Sequence, residues 1–401
     1  MVARSIGQRI AIARRRRGLS QAVLANLIGR SESWLSQVER GIRSVDRLPV
    51  LMDLAEVLRV DAESLLGRPW KYAPNGGHLP DELEPTRRYL NGYRHLHDTT
   101  WSRVDPEALA QRVRDGHVAY QAAHYGAVAS ALPTLLSDAD MLRRSSRTLS
   151  EPGTRTYISA YILAAKLLRK LGALELAMVT ADRAATASVD GAFTVERGLA
   201  AYQVVGGLMR ADQVDDAETL AVSVAAALSS EAKWGEPELL SVVGSLWLLS
   251  AVIAARRTDK YEALDRLSRA HDLASLLGSD GNYGWTAFGP TNVAIHHVSV
   301  AAELGEAGEA LRAAQSVNPA DLPEGLVGRR AQLHLDLAWA YAQGRRDAEA
   351  TLHLIEAENI APEAVRYNVL VREHIREMLA RGKSGQTRVL HDLAVRSGVV
   401  E

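Results

Sequence analysis

The sequence predicts an all-α protein with a small N-terminal domain, a linker and a long body of helix pairs. Alanine and leucine dominate while phenylalanine appears only twice, a bias that favours helix over strand. Apolar residues recur at helical spacing along most of the chain, interrupted by Gly, Asp and Pro. With 401 residues, 47% of them hydrophobic, the chain suits two or three folded domains.

The N-terminal domain is expected over residues 1–67, as five short helices. We place these helices near 5–17, 21–28, 32–40, 48–58 and 62–66. Ser20 and Ser31 are suitable N-caps, and Gly18 and Gly41 suit helix ends. Ile6, Ile10 and Ala13 share one face of the first helix. The residues expected to form one core with that face are Leu24, Leu27, Leu35, Val38, Leu48, Leu51, Leu54 and Leu58.

Residues 68–80 are rich in Pro and Gly and are interpreted as a linker, followed by a helical body over 81–401. Helix pairs are expected near 105–148, 154–189, 192–231, 236–278, 290–317 and 325–359, with last helices near 362–381 and 386–397. This spacing predicts a repeat solenoid; an irregular helical bundle is the alternative. Small residues expected where helices cross are Ala164, Ala165, Gly206, Gly207, Ala301, Ala302, Ala338 and Ala340.

Charge is divided unevenly along the chain. The formal net charge is −1, but the twelve arginines of residues 1–70 give that segment a clear positive excess and leave the remainder acidic. A basic head suggests a polyanionic partner for the head alone.

Several function classes lack their sequence signals. The chain has no cysteine and no apolar N-terminal segment typical of a signal peptide, and we expect no stretch that approaches the length of a transmembrane helix. We therefore expect a cytoplasmic protein without a membrane partner. No phosphate-binding loop, nucleophile elbow or HExxH motif is present, and His296–His297 has no carboxylate at ligand spacing. Neither an enzyme nor a cofactor or metal site is expected.

The string LSQAVLANLIGRSESWLSQVERG, Leu19–Gly41, resembles the Cro/C1 (Xre) family of lambda-repressor-like helix-turn-helix domains. Ser20, Gln21 and Ala25 stand at the family's framework positions, and Glu39 with Gly41 at its exit. At Gly29 the turn is expected to need a left-handed conformation, and a side chain there is expected to clash. Arg30 departs from the pattern, since an apolar residue usually follows the glycine.

The resemblance implies that the third helix enters the major groove of a palindromic operator in double-stranded DNA, bound by a homodimer. It implies these DNA-binding residues: Gln21, Arg30, Ser31, Glu32, Ser33, Trp34, Ser36, Gln37, Arg40, Arg43, Ser44 and Arg47. Gln37 suits adenine, while Glu32 suits cytosine or rejects a wrong base. Trp34 has two open interpretations, the sugar-phosphate wall or packing against helix four. The run 14–17 of four arginines likewise either binds phosphate or complements the helix dipole.

The segment Leu335–Ala357 resembles a tetratricopeptide repeat, with Ala338 and Tyr341 in crossing positions and Ala348 in the second helix. A Cro-type head on such a body resembles peptide-responsive regulators, and the segment Phe288–Leu311 resembles their actinobacterial counterparts. The resemblance implies a body that dimerises and binds a small-molecule or peptide effector. A protein-interaction scaffold and an antitoxin-like protein are the alternatives. The candidate effector residues are Trp285, Phe288, Asn292 and His296, which otherwise fill a gap between repeats.

Overall fold

The computed structural model describes residues 5–17, 19–43, 45, 48–58, 60, 65, 83–93, 104–145, 151–231, 235–381 and 387–400. Every regular element within these ranges is a helix. Contacts divide the chain into two compact units, Met1–Gly76 and Gly77–Glu401. The prediction of an all-α fold is confirmed.

Four helices of the first unit follow the predicted positions. They are α1 (Ile6–Arg16), α2 (Gln21–Leu27), α3 (Glu32–Glu39) and α4 (Leu48–Leu58). Apart from Leu65, the predicted fifth helix at 62–66 and the predicted linker at 68–80 lie outside the described residues.

Serines begin the first three helices, and each supplies an oxygen to a backbone N–H that the helix leaves unpaired. Ser20 Oγ accepts from the Val23 N–H at 3.2 Å, and Ser31 Oγ accepts from the Trp34 N–H at 3.2 Å. Ser5 forms a reciprocal pair of hydrogen bonds with Gln8. The predicted caps of α2 and α3 are confirmed.

The core of this unit contains most of the predicted residues, including Leu24, Leu35 and Leu54, which have no exposed surface. Leu27 is wrongly predicted, because 59% of it is exposed. The buried face of α2 runs from Leu24 through Ala25 to Ile28, so Leu27 lies beyond its edge. The side chain of Leu48 lies outside the described residues.

Two glycines in this unit have different structural reasons. Gly29, between α2 and α3, has φ +63°, but an added Cβ would meet nothing within 4 Å. The predicted clash is therefore wrong there, while the left-handed conformation is confirmed. Gly7 was not singled out by the sequence. A Cβ on Gly7 would lie 2.0 Å from the Val38 carbonyl oxygen, so glycine permits the close approach of α1 and α3.

The second unit begins with α5 (Glu84–Asn91) and continues with six helix pairs. The pairs are α6 (Pro106–Gln121) with α7 (Tyr125–Ser145), α8 (Glu151–Lys170) with α9 (Leu174–Asp190), α10 (Thr194–Arg210) with α11 (Val214–Glu231), α12 (Pro237–Arg256) with α13 (Lys260–Leu277), α14 (Pro290–Glu303) with α15 (Ala307–Ala314), and α16 (Val327–Gln343) with α17 (Asp347–Ile360).

Three shorter helices follow, α18 (Pro362–Arg366), α19 (Val369–Arg381) and α20 (Thr387–Arg396). The single helix predicted at 362–381 is two helices, because the chain leaves helical structure at Tyr367 and Asn368.

The first helices of successive pairs pack in a row, from α6 through α8, α10, α12 and α14 to α16. The row closes on itself, since α16 also contacts α6. The loop before α14 also reaches the end of α6, where the side-chain amides of Asn282 and Gln121 exchange two hydrogen bonds, at 2.7 and 2.6 Å. Glu363 also accepts from the Gly126 N–H at 2.9 Å. This stacking of pairs is a helical repeat, as predicted.

Small residues lie where the helices cross. All eight of the predicted crossing residues are buried. In the last pair, Ala338 is buried and Ala348 lies in the second helix, both as predicted. Ala348 itself is exposed, and Ala350 is the buried alanine of that turn.

The expectation that no stretch approaches membrane-spanning length is wrong for α12. Pro237–Arg256 is long and apolar enough by length and composition, but 89% of its apolar window is buried inside the repeat. A helix that is apolar on every side is typical of the centre of a helical core.

Candidate nucleic-acid interface and central chamber

Helix α3 has one buried face and one open face. Leu35 and Val38 pack into the core formed with α1, α2 and α4. Glu32 and Ser33 are exposed, and Gln37 is partly exposed. Because side chains repeat every 3.6 residues, burial of Leu35 and Val38 directs the other side chains away from the core. The open face presents hydroxyl, carboxylate and amide groups, which suit the edges of base pairs.

A buried cluster around Glu39 fixes the orientation of α3. Arg14 donates to both carboxylate oxygens of Glu39, from Nε at 2.6 Å and from Nη2 at 2.9 Å. Gln21 Nε2 donates to the same carboxylate at 2.7 Å, and Arg14 Nη1 donates to the Leu19 carbonyl at 2.8 Å. These bonds join α1, α2 and α3, and we call these four residues the Glu39 cluster.

The Glu39 cluster keeps its carboxylate ionised. Burial alone would raise the pKa of Glu39, but the hydrogen bonds from Arg14 and Gln21 outweigh it, and the pKa lies below its ordinary value. The pKa of Arg14 is raised by its hydrogen bond to Glu39, against the effect of burial. Arg14 and Glu39 thus neutralise each other's charge and hold α1 against α3.

Arg14 and Gln21, both considered for DNA contact, have a structural role in the Glu39 cluster. Arg14 is 8% exposed and fully engaged inside the domain, so neither interpretation of the run 14–17 applies to it. Arg15 and Arg17 are exposed. Gln21 points its amide at Glu39, which leaves one of the two amide hydrogens for another acceptor.

The other predicted residues occupy the rim and face of α3. Trp34 packs partly against the core, and the guanidinium of Arg30 lies 5.8 Å from the centroid of its ring. Arg40 is exposed and donates from Nε to the Ser36 carbonyl at 3.2 Å. Arg43 is exposed, next to the end of α3. Ser44 and Arg47 lie outside the described residues.

The body contains a central chamber of about 170 Å³ that is partly open to solvent. It is lined from α6, α8, α10, α12 and α16 and from the loop before α14. Its polar groups include Tyr120, Gln121, Tyr202, Gln203 and Gln332.

Four cationic side chains line this chamber: Lys166, Arg169, Lys170 and Arg329. Within the part of the chain that the structure describes, no carboxylate lines it. Burial, followed by the charge of Arg169, lowers the pKa of Lys166 to about 7. Burial, followed by the charges of Arg210, Arg329 and Arg169, lowers the pKa of Lys170 to about 8. Burial is thus the larger cause of both shifts, and the neighbouring positive charges add to it.

Of the four predicted effector residues, only Trp285 lines the chamber. Trp285 also lines a second cavity of about 510 Å³, and its ring stacks on His117 with centroids 5.0 Å apart. Phe288 has no exposed surface and fills the space beside Gly244, where a Cβ would lie 2.0 Å from its ring. Trp285 therefore separates two cavities, while Phe288 packs between helices.

Asn292 and His296 are brought together, but not at an open surface. Asn292 is 1% exposed and His296 is 9% exposed. His296 Nδ1 donates to the Asn292 carbonyl at 2.9 Å, and burial lowers the pKa of His296 to about 3. Neither residue lines either cavity, so with Phe288 they match the alternative interpretation, packing between repeats.

Residues 5–66 match a family model described as a helix-turn-helix domain. This segment is a helix-turn-helix domain. No curated protein matches the chain. Similar solved structures include PlcR of Bacillus thuringiensis in complex with the peptide PapR7 and DNA. It is 13% identical to this chain, with a TM-score of 0.32, and the match covers 85% of this chain and 98% of that chain. Another is ComR of S. thermophilus in complex with DNA and its signalling peptide ComS, which is 15% identical, with a TM-score of 0.30 and coverage of 94% of this chain and 100% of that chain.

Sequence reasoning located the helix-turn-helix domain and missed the cations of the chamber. Lys166, Arg169 and Lys170 stand at positions i, i+3 and i+4 of α8, where like charges repel. A cationic stripe inside the otherwise apolar string YILAAKLLRK was the available signal. Arg329 gave no comparable signal, because it reaches the chamber only through closure of the row.

Proposed function

We propose that this chain is a sequence-specific DNA-binding transcriptional regulator, in which the helix-turn-helix domain reads the operator and the body senses an effector and dimerises. The observation that supports reading of DNA is the open face of α3, where Glu32, Ser33 and Gln37 stand opposite the buried Leu35 and Val38. This is the arrangement by which a recognition helix places side chains in the major groove.

Base contacts are proposed for Glu32, Ser33, Ser36 and Gln37. Gln37 suits a bidentate pair with adenine, and Glu32 suits cytosine or discriminates against other bases. Phosphate contacts are proposed for the predicted residues that flank this face, which are Gln21, Arg30, Ser31, Trp34, Arg40, Arg43, Ser44 and Arg47. Their cations suit a phosphate backbone, which dominates affinity without reading sequence.

The domain boundaries 1–67, 68–80 and 81–401 belong to the same proposal, as do a cytoplasmic location and a homodimer on a palindromic operator. A single helix-turn-helix covers little DNA, so two copies on two half-sites suit tight binding. The chamber favours an effector-sensing body over a pure scaffold, because a concave cavity lined by several polar groups suits a small ligand. Regulation, rather than catalysis, is the activity proposed.

The test measures binding of the full-length protein to its selected operator and to random DNA across salt concentrations. We expect Gln37→Ala to relax preference at one base position, losing about 1–3 kcal/mol of discrimination. We expect Arg43→Ala to weaken binding to both DNAs and to reduce the salt slope by about 0.9 for the lost phosphate contact.

Arg312→Ala is the matched control, because Arg312 is an exposed arginine of the body. It should change neither specificity nor salt slope. Equal weakening of operator and random DNA by Gln37→Ala would show that α3 is not the element that reads bases.

A further inference from the structure

The central chamber has the composition of an anion site. Its four cations come from two helices, with Lys166, Arg169 and Lys170 on α8 and Arg329 on α16. Like charges gathered in a poorly solvated space repel each other, and burial adds to the cost of each. A bound anion would relieve both effects, because each cation would gain an opposite charge and hydrogen-bond acceptors.

Some hydrogen-bond donors of the chamber's cations have no acceptor among the described residues. Lys166 Nζ donates to the Trp285 carbonyl at 3.0 Å, which leaves two of its three hydrogens. Arg169 Nη2 donates to Gln203 Oε1 at 3.3 Å, while the buried Arg169 Nε has no partner among the described residues. Lys170 lies 5.8 Å from the ring centroid of Tyr125. Buried donors normally have acceptors, so an acceptor-rich ligand suits this space.

Asp336 is a buried carboxylate whose charge acts on Lys170 and Arg329, but it does not line the chamber. Gln332 donates to one of its oxygens at 2.8 Å, and Ser299 donates to the other. Burial raises the pKa of Asp336 to about 6. Both of its oxygens already accept hydrogen bonds, and the described residues that line the chamber include no carboxylate to neutralise its four cations.

We propose that the chamber binds a small organic anion, with its charged group among Lys166, Arg169, Lys170 and Arg329 and its apolar body against Trp285 and Leu199. The proposal deepens the effector part of the proposed function and rests on it only for the regulatory consequence. The volume limits the ligand, because about 170 Å³ is close to the roughly 150 Å³ cavity that holds a benzene molecule. An extended peptide would place only one end inside such a space, with the rest of its length outside the chamber.

The test is isothermal titration calorimetry of the full-length protein without DNA. The ligands are benzoate and its neutral isostere benzamide, and sodium chloride at equal ionic strength is the control. We expect benzoate to bind at least about tenfold tighter than benzamide, as one charge-assisted hydrogen bond would give. Equal affinities for the two compounds, or no benzoate binding beyond chloride, would overturn the proposal. Binding of a carboxyl-terminated heptapeptide but not of benzoate would also overturn it.

Variants locate the site. Lys166→Met and Lys170→Met should each lower benzoate affinity about tenfold or more, while leaving benzamide affinity within about twofold. Lys260→Met is the matched control, since Lys260 is exposed and paired with Glu306 at 2.7 Å outside the chamber. Equal losses in Lys166→Met and Lys260→Met would contradict the site. If Lys166→Met does not fold, the comparison of benzoate with benzamide on the wild-type protein still tests the proposal.

DNA binding is measured separately in the same samples. Benzoate binding without any DNA binding would refute the proposed regulator and leave the anion site standing. Normal operator binding with no benzoate binding would refute the anion site alone.

Discussion

Removal of Arg14 from the Glu39 cluster should destabilise the helix-turn-helix domain far more than removal of its neighbour Arg15. The side chains of Arg14 and Glu39 keep only 10% and 6% of their exposure. Arg14→Met leaves the buried carboxylate with Gln21 as its remaining side-chain donor. Breaking a buried ion pair from one side typically costs about 3–5 kcal/mol, and we expect about 3 because the retained Gln21 bond offsets part of the loss.

Urea unfolding of a fragment spanning residues 1–76, followed by circular dichroism, measures this difference. That unit has its own core, so it should fold alone. Arg15→Met should change the unfolding free energy by less than about 0.5 kcal/mol, because Arg15 is exposed. The double variant Arg14→Met/Glu39→Leu should recover most of the loss, since no unpaired charge remains.

The same cluster has a pH signature. The pKa of Glu39 is lower in the folded domain than its ordinary value of 4.5, so its contribution to stability is present above pH 4.5 and is lost as pH falls through the folded pKa. Glu39→Leu should flatten that part of the stability profile. A loss below about 1 kcal/mol in Arg14→Met, equal to that in Arg15→Met, would refute the structural role of the cluster.

Three further predictions concern glycines and a lysine. Gly29→Ala should lower the unfolding free energy of the helix-turn-helix domain by about 1–2 kcal/mol through its left-handed φ alone. Gly7→Ala should lower it by about 3 kcal/mol, because the new Cβ meets the Val38 carbonyl. Equal urea midpoints for the two variants would contradict this difference. Gly244→Ala should displace the Phe288 ring and lower the melting temperature of the body, and an unchanged temperature would show that the repeat adapts freely. Since the pKa of Lys166 falls from 10.5 to about 7 on folding, the unfolded chain holds the extra proton between these values. Stability should therefore rise above pH 7 by up to about 1.4 kcal/mol per pH unit from Lys166 alone. In urea unfolding at pH 7, 8 and 9, Lys166→Met should remove this contribution, which is the larger one between pH 7 and 8, and leave the contribution of Lys170 above pH 8.

Local signals predicted the helices well because their determinants are local. Serine caps and glycine ends lie next to the helices they bound, and the apolar period shows which face is buried. The errors arose at the edges of these patterns, as at Leu27, where one residue separates the buried stripe from solvent.

The chamber was beyond such signals because it depends on contacts between distant parts of the chain. Lys166 and Arg329 meet only because the row of helix pairs closes. The aromatic and amide side chains of residues 281–297 led us to predict an effector site there, and Trp285 does line the chamber. Composition did not distinguish a side chain that faces a cavity from one that packs behind it, which is why Phe288, Asn292 and His296 were grouped with Trp285.

The closure between α6 and α16 also bears on how the body comes apart and how its length is constrained. In an open array each repeat touches only its neighbours, so the ends fray and a repeat can be added or removed at modest cost. Here Gly126 and Glu363 are joined across most of the body's length. Loss of the last pair would expose the first, so the body should melt as one cooperative block. The number of pairs is thus constrained by the contact between α6 and α16, and we expect insertions to be tolerated better in the connecting loops than as an added pair.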